Sequence, residues 1–96
     1  MDKVIRWLPK AQENFETELK RIAQENEAAA KRIASLVKSR IDTLEQFPEK
    51  GRPGRVPGTR ELVLAGLPYI LPYRVRGNAV EILRFFHTSQ HPPDKW

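Results

Sequence analysis

The chain has no cysteine and no long apolar run, and each of these absences excludes a class of protein. Without cysteine it can form neither a disulfide framework nor a thiol-based active site. No stretch approaches the roughly 20 apolar residues that a membrane-spanning helix requires, and residues 1–8 lack the pattern of a signal peptide. These features predict a cytoplasmic protein that does not insert into a membrane.

Acidic residues are fewer than basic ones. The chain has 12 aspartates and glutamates and 17 lysines and arginines, which gives a formal charge of +5. Such an excess favours acidic partners, whether nucleic acid, a ribosome or an acidic protein segment, but it does not determine the fold. The length of 96 residues predicts a single domain spanning residues 1–96, with a core of modest size.

Motifs for cofactor, metal and nucleophile chemistry are also missing. The sequence has no phosphate-binding glycine loop, no paired carboxylate motif and no nucleophile constellation. His87 and His91 have the spacing of a helical metal pair, but Pro92 and Pro93 follow directly and no third ligand is obvious. We therefore expect neither a cofactor nor a metal ion.

The first half of the chain predicts one strand followed by two helices. The stretch from Lys3 to Leu8 is β-prone, and Pro9 suits the opening of a helix because its missing N–H costs little there. Apolar residues then recur at helical spacing on both sides of Asn26, which provides a break or a cap. Phe47 and Pro48 end the second helix, since the residue before proline is pushed out of helical geometry.

The second half predicts a loop and three strands. Residues 49–58 combine three glycines, two prolines and three basic residues, which is typical of a flexible basic loop. Residues 59–65 resume a β pattern, Gly77-Asn78 suits a two-residue hairpin turn, and residues 88–96 form a proline-containing tail. The order β-α-α-β-β-β predicts an α+β fold in which a helical hairpin packs on one face of a small antiparallel sheet, with the first strand at an edge.

The hairpin turn also predicts a register, and the register assigns side chains to faces. Counting outward from the turn pairs Arg74 with Glu81 in a cross-strand ion pair and, at the far end, Tyr69 with Phe86. The face expected under the helices carries Tyr69, Leu71, Tyr73, Val75, Val80, Ile82, Phe86 and one charge, Arg84. The opposite face, called the outer face below, carries Ile70, Pro72, Arg74, Arg76, Glu81, Leu83 and Phe85, with His87 at its end.

Arginines and one histidine are the candidates for chemistry. Arg52, Arg55 and Arg60 lie on and beside the basic loop, where they either clamp phosphates or carboxylates or simply keep the loop solvated. Arg84 lies among apolar groups and needs a partner there, such as a helix carboxylate, a helix C-terminal carbonyl or another chain. His87 suits either general acid–base catalysis or a structural hydrogen bond.

The element order and several motifs resemble the RelE/ParE superfamily of bacterial toxins. The motifs are Gly51-Arg52-Pro53-Gly54, Gly58-Thr59-Arg60-Glu61-Leu62, Tyr73-Arg74-Val75 and Val80-Glu81-Ile82-Leu83-Arg84-Phe85-Phe86-His87. The resemblance implies the toxin of a type II toxin–antitoxin pair, neutralised by a cognate antitoxin. Relatives of the RelE kind cut messenger RNA on the ribosome, whereas relatives of the ParE kind poison DNA gyrase without being enzymes.

Four positions distinguish these two branches. RelE-like nucleases use cations on the exposed sheet face to stabilise the charge that develops on the scissile phosphate. The matching positions here are Glu61, Val63, Ile70 and Gln90, and none of them is a cation. The resemblance therefore implies a ParE-like gyrase inhibitor. The alternative is a metal-independent, ribosome-dependent endoribonuclease that uses His87 together with Arg52, Arg55 or Arg60.

An apolar patch beside arginines is better suited to gripping a protein segment than to cutting a phosphodiester. An antitoxin can place an amphipathic helix or an added strand there, while its acidic residues meet the loop arginines. The predicted target-binding or antitoxin-binding residues are Arg52, Arg55, Arg60, Val63, Ile70, Pro72, Arg74, Leu83, Arg84 and Phe85. A plain basic nucleic-acid-binding module is a third hypothesis.

Overall fold

The computed structural model describes residues 2–89 of the chain. Strand β1 (Val4–Trp7) leads into helices α1 (Pro9–Glu25) and α2 (Glu27–Asp42), and a 3-10 turn (Thr43–Glu45) follows α2. The remaining strands are β2 (Arg52–Pro53), β3 (Arg60–Val63), β4 (Tyr69–Arg76), β5 (Ala79–Ile82) and β6 (Phe86–His87). Gln90, His91 and the rest of the predicted tail lie outside the described residues.

The two helices begin and end as local chemistry dictates. Pro9 occupies the first turn of α1. Asn26 separates the helices and caps α2, because its Oδ1 accepts a hydrogen bond from the N–H of Ala29 at 3.0 Å. Val37 and Ile41 of α2 pack in the core with Leu71 of β4. The predicted helical hairpin on one face of a sheet is confirmed.

The sheet has the strand order β1-β5-β4-β3-β2, with β6 paired to β4. β1 lies at an edge, as predicted, but it runs parallel to β5, so the sheet is mixed and not purely antiparallel. A parallel pair needs a long crossover connection, which residues 8–78 provide. At the other edge, residues 52–53 of the predicted loop form the short strand β2 against β3.

The predicted register holds near the turn and slips beyond it. Next to the turn the observed pairs are Arg76 with Ala79, Val75 with Val80, Arg74 with Glu81 and Tyr73 with Ile82. Further along, Ile70 pairs with Phe86 and Tyr69 with His87, so the predicted pairing of Ile70 with Phe85 and of Tyr69 with Phe86 is wrong by one residue. Between these segments the three residues 83–85 stand against only two, Leu71 and Pro72, and one extra residue in one strand is the count of a β-bulge.

The slip reverses the faces of the last residues, because a shift of one residue turns every side chain over. Phe85, predicted on the outer face, is 4% exposed and packs in the core against Phe15 and Tyr69, with ring centroids 5.0 and 4.7 Å away. His87 moves to the helix side, where its ring lies edge-on to Tyr69 at 5.7 Å. Phe86, predicted in the core, is only partly buried.

The predicted apolar patch on the outer face is not one continuous exposed surface. Val63 is 47% exposed, whereas Leu83 is 4% exposed and Pro72 is fully buried. Val56 and other residues of the turn that precedes β3 line a common groove with Leu83. The expectation of a solvent-exposed apolar surface is therefore wrong at Pro72 and Leu83.

Candidate functional site

A buried carboxylate on β3 organises the basic loop. Glu61 is 3% exposed, and its Oε1 accepts hydrogen bonds from Arg52 Nη2 at 3.1 Å and Nε at 3.3 Å. Its Oε2 accepts from Arg55 Nε at 3.1 Å and from the Arg55 backbone N–H at 3.2 Å. Burial alone would raise the pKa of the Glu61 carboxyl, but the hydrogen bonds from Arg55 and Arg52 outweigh it and lower that pKa below 4.5.

A second set of contacts fixes the start of the same loop. Arg60 Nη1 donates to the carbonyl of Gly51 at 2.9 Å, and the Gly51 N–H donates to the hydroxyl of Tyr73 at 2.8 Å. A Cβ atom at Gly51 would lie 2.6 Å from that hydroxyl, so only glycine fits this close approach. The predicted loop is therefore tied to the sheet at several points, and Arg52, Arg55 and Arg60 all have partners within the chain.

A second buried carboxylate holds the arginines of the hairpin. Glu81 on β5 accepts a hydrogen bond from Arg74 Nε at 2.7 Å, which confirms the predicted cross-strand ion pair. Arg76 Nε lies 3.9 Å from the same oxygen. The hydrogen bond from Arg74 lowers the pKa of the Glu81 carboxyl below 4.5, and the charges of Arg76 and Arg6 add to the effect.

Arg84 does not lie under the helices, where the predicted register had placed it. It sits at the bulge, partly buried, and its Nη1 donates to the carbonyl of Leu83 at 2.7 Å. Together with Arg74 and Arg76 it lines a groove on the outer face. The bulge therefore moves this guanidinium from the apolar face into an arginine-rich one.

His87 lies in a different groove, between α1 and β6. This groove has a volume of about 640 Å³ and is lined by Glu13, Asn14, Thr17, Glu18, Arg21, Phe85, Phe86, His87 and Ser89. His87 Nδ1 lies 2.8 Å from Ser89 Oγ and accepts a hydrogen bond from the Ser89 N–H at 3.1 Å. The candidate catalytic histidine thus faces a mixed polar groove on the helix side of the sheet.

The charges around His87 are mainly acidic. Arg21 makes two hydrogen bonds of 2.8 Å to the carboxylate of Glu18, which also accepts one from the Tyr69 hydroxyl at 2.7 Å. Burial and this bond to Glu18 raise the pKa of Tyr69 to about 12. Arg21 is the only lysine or arginine among the described residues that line the groove. It already forms an ion pair with Glu18. Sequence reasoning missed this network, because its members are far apart in the chain.

Residues 2–89 show neither a cluster of metal ligands nor a helix suited to crossing a membrane. No group of three or more histidine, aspartate or glutamate side chains is placed to hold a metal ion. No helix in this part of the chain is long and apolar enough to cross a membrane. The possible metal pair of His87 with His91 includes a residue outside this range.

Comparison with known proteins identifies the family. The family model described as "ParE toxin of type II toxin-antitoxin system, parDE" matches residues 5–92. The chain belongs to the ParE toxin family. This ParE-family toxin is 41% identical over 91 residues to "Putative toxin Y4kP" of Sinorhizobium fredii, a match that covers 95% of the chain and 94% of that protein.

A second relative and a solved structure are also similar to this ParE-family toxin. It is 36% identical over 69 residues to "Toxin RelE2" of Caulobacter vibrioides, covering 72% of the chain and 76% of the relative. A solved structure described as "Chromosomal ParDE TA system from P. aeruginosa" matches with a TM-score of 0.80 and 26% identity, covering 88% of this chain and 95% of that one. The resemblance predicted from the motifs, to a superfamily toxin closer to ParE, is confirmed.

Proposed function

We propose that this ParE-family toxin arrests growth by inhibiting DNA gyrase, without being an enzyme, and that a cognate antitoxin holds it inactive. Family membership supports the toxin role and an antitoxin as partner. The choice of gyrase over the ribosome rests on the chemistry of the sites described above.

The acidic surroundings of His87 carry this choice. A nuclease must stabilise negative charge that develops on the scissile phosphate, which requires cations beside the acid–base group. The groove of His87 instead presents the carboxylates of Glu13 and Glu18, with Arg21 already paired to Glu18. A phosphate placed there would meet charge repulsion.

The matched sheet positions point the same way. Glu61 stands where RelE-like nucleases have a cation, and it uses its charge to hold Arg52 and Arg55. Val63 and Ile70 supply apolar surface at two further positions. Such a surface binds protein segments, and we propose that it contributes to target or antitoxin binding together with Arg52, Arg55, Arg60, Arg74, Arg84 and the supporting residues Pro72, Leu83 and Phe85.

Induction of the wild type and of His87→Ala in a bacterium tests the proposal. Labelled precursors report DNA, RNA and protein synthesis separately after induction. We expect DNA labelling to fall first with both proteins, because binding gyrase does not need the imidazole. Gln24→Ala, on the exposed surface of α1, serves as the control substitution.

A ribosome-dependent endoribonuclease is the second candidate, favoured by the 36% identity to "Toxin RelE2" and by the open groove beside His87. It predicts that protein labelling falls first, that transcripts are cut within translated codons, and that His87→Ala abolishes toxicity. That set of results would overturn the gyrase proposal.

A further inference from the structure

The segment between the 3-10 turn and β2 carries the most exposed large apolar side chain of residues 2–89. Phe47 is 61% exposed, more than Val4, Val63 or Val75, and it does not belong to the hydrophobic core. A single exposed ring is ordinary on a protein surface, so its surroundings decide whether it has a role.

The backbone on both sides of Phe47 is held by hydrogen bonds. The Phe47 N–H donates to the carbonyl of Thr43 at 3.0 Å, and the Phe47 carbonyl accepts from the Lys50 N–H at 3.1 Å. The carbonyl of Pro48 accepts from the hydroxyl of Tyr73 at 2.8 Å, and Tyr73 is itself fully buried. The ring is therefore presented from a fixed turn, and little conformational entropy is lost when a partner covers it.

A hollow lies beside the ring in the same segment. It has a volume of about 670 Å³ and is lined by Gln46, Phe47, Pro48, Glu49 and Lys50, which together are called the Phe47 patch below. The Phe47 patch thus combines a projecting apolar group with a recess. A two-fold interface requires that one patch fit itself, and a projection beside a recess meets that requirement.

The charges of the Phe47 patch are also self-complementary. Glu49 and Lys50 are both exposed and have opposite signs. Lys50 Nζ makes one long hydrogen bond, of 3.3 Å, to Thr43 Oγ1, which uses one of its three ammonium donors. A patch with charges of one sign would repel its own copy. Here a two-fold axis can bring Glu49 of each copy to Lys50 of the other.

We propose that the Phe47 patch is a two-fold interface through which two copies of the toxin associate. The ring of Phe47 in each copy packs into the recess of the other, and Glu49 pairs with Lys50 across the axis. One aromatic ring from each copy is a small apolar centre, so we expect a weak dimer that forms above about 10 μM. The proposal goes beyond gyrase inhibition and does not depend on it.

Sedimentation velocity of the full-length toxin, from about 10 μM to about 1 mM, tests the proposal. Moderate salt screens the general repulsion between two positively charged copies. We expect the weight-average sedimentation coefficient of the wild type to rise with concentration towards that of a dimer. Phe47→Ser should weaken the association by at least about tenfold, because each dimer loses two buried rings.

Val4→Ser provides the matched control. Val4 is 54% exposed, and it lines a different groove together with Arg6 and Arg76. The substitution removes exposed apolar surface away from the Phe47 patch, so it should leave the association unchanged. Circular dichroism checks that every variant is folded.

Charge exchange within the Phe47 patch provides a second test. Lys50→Glu lowers the net positive charge of each copy, which by itself would strengthen the association. We nevertheless expect it to weaken the association, because each Glu49 then faces an acidic group. Adding Glu49→Lys to the same chain restores opposite charges across the axis and should restore the affinity of the wild type.

Any of three results would overturn the proposal. The first is a wild type that sediments as a monomer up to about 1 mM. The second is equal weakening by Phe47→Ser and Val4→Ser, which would indicate non-specific apolar association. The third is stronger association of Lys50→Glu, or a double exchange that stays as weak as the single one. Gyrase is absent from this assay, so a failure here and a failure of the gyrase proposal are distinguishable.

Discussion

Single buried carboxylates decide how the arginines of this toxin are arranged. Each forms ion pairs with two arginines: Glu61 with Arg52 and Arg55, and Glu81 with Arg74 and Arg76. Removing one partner of such an ion pair destabilises the folded protein, because the remaining buried charge is then poorly solvated. The acid positions on the sheet therefore determine which guanidinium groups remain available on the surface.

Glu61→Gln tests the role of the buried anchor. The substitution keeps the size of the side chain but removes the charge that holds Arg52 and Arg55. We expect the free energy of unfolding to fall by about 1–3 kcal/mol, because charge-assisted hydrogen bonds are lost while the half-exposed arginines regain water. Urea denaturation measures the change, and exposed Glu25→Gln on α1 should stay within about 0.5 kcal/mol of the wild type. Equal effects of the two substitutions would refute the claim that the charge of Glu61 stabilises the fold.

Acid should weaken the same contact. The pKa of Glu61 is below 4.5 in the folded toxin, so its carboxylate adds stability above pH 4.5 and loses that contribution as the pH falls through the folded pKa. We expect the wild type to lose more stability than Glu61→Gln when the pH is lowered from 6 to about 3. Denaturant unfolding at several pH values measures the stability of both proteins. If their stabilities fall in parallel with pH, Glu61 is not the source of the acid sensitivity.

At the scale of elements, the strand register could be predicted from the sequence only close to the hairpin turn. Gly77 takes a φ of 58°, in the region that suits glycine, and the pairs adjoining this turn are those that the register predicts. No local signal marks the bulge in residues 83–85. It arises because Phe85 gains burial against Phe15 and Tyr69, which is a tertiary contact.

Alanine substitutions at adjacent phenylalanines test the slipped register. Phe85→Ala should cost about 3–5 kcal/mol of unfolding free energy, because it leaves a cavity in the core. Phe86→Ala should cost less than half as much, since that ring is only partly buried. Denaturant unfolding compares the two directly. The reverse order would restore the register predicted from the turn.

The helix cap offers a further test at this scale. Asn26→Ala removes the side-chain acceptor for the Ala29 N–H and should destabilise the toxin by about 1 kcal/mol. Thermal unfolding measures the effect. Gln24→Ala, at a nearby exposed position of α1, is the matched control and should be close to neutral. A neutral Asn26→Ala would indicate that the cap contributes nothing.

The candidate site was predictable only where its contacts are local. The pair of Arg74 with Glu81 follows from strand register, and it is present. The contact of Arg52 and Arg55 with Glu61 depends on how a glycine- and proline-rich segment folds back, which no periodicity specifies. The network of Glu18 and Tyr69 joins residues from a helix and a distant strand, so it also needed the structure.

For the whole molecule, the two grooves on opposite sides of the sheet differ in the charges that line them. The groove of His87, on the helix side, contains Glu13 and Glu18. The groove on the outer face contains Arg74, Arg76 and Arg84. Anionic partners are therefore drawn to the face away from His87, which argues against a phosphate held at that imidazole and for a toxin that acts by binding.

Plasmid supercoiling by purified DNA gyrase is the measurement that tests the central claim most directly. We expect the purified toxin to inhibit supercoiling and His87→Ala to inhibit it equally well, because the imidazole takes no part. Undiminished supercoiling in the presence of the wild type, together with cleavage of ribosome-bound messenger RNA that is lost in His87→Ala, would contradict it.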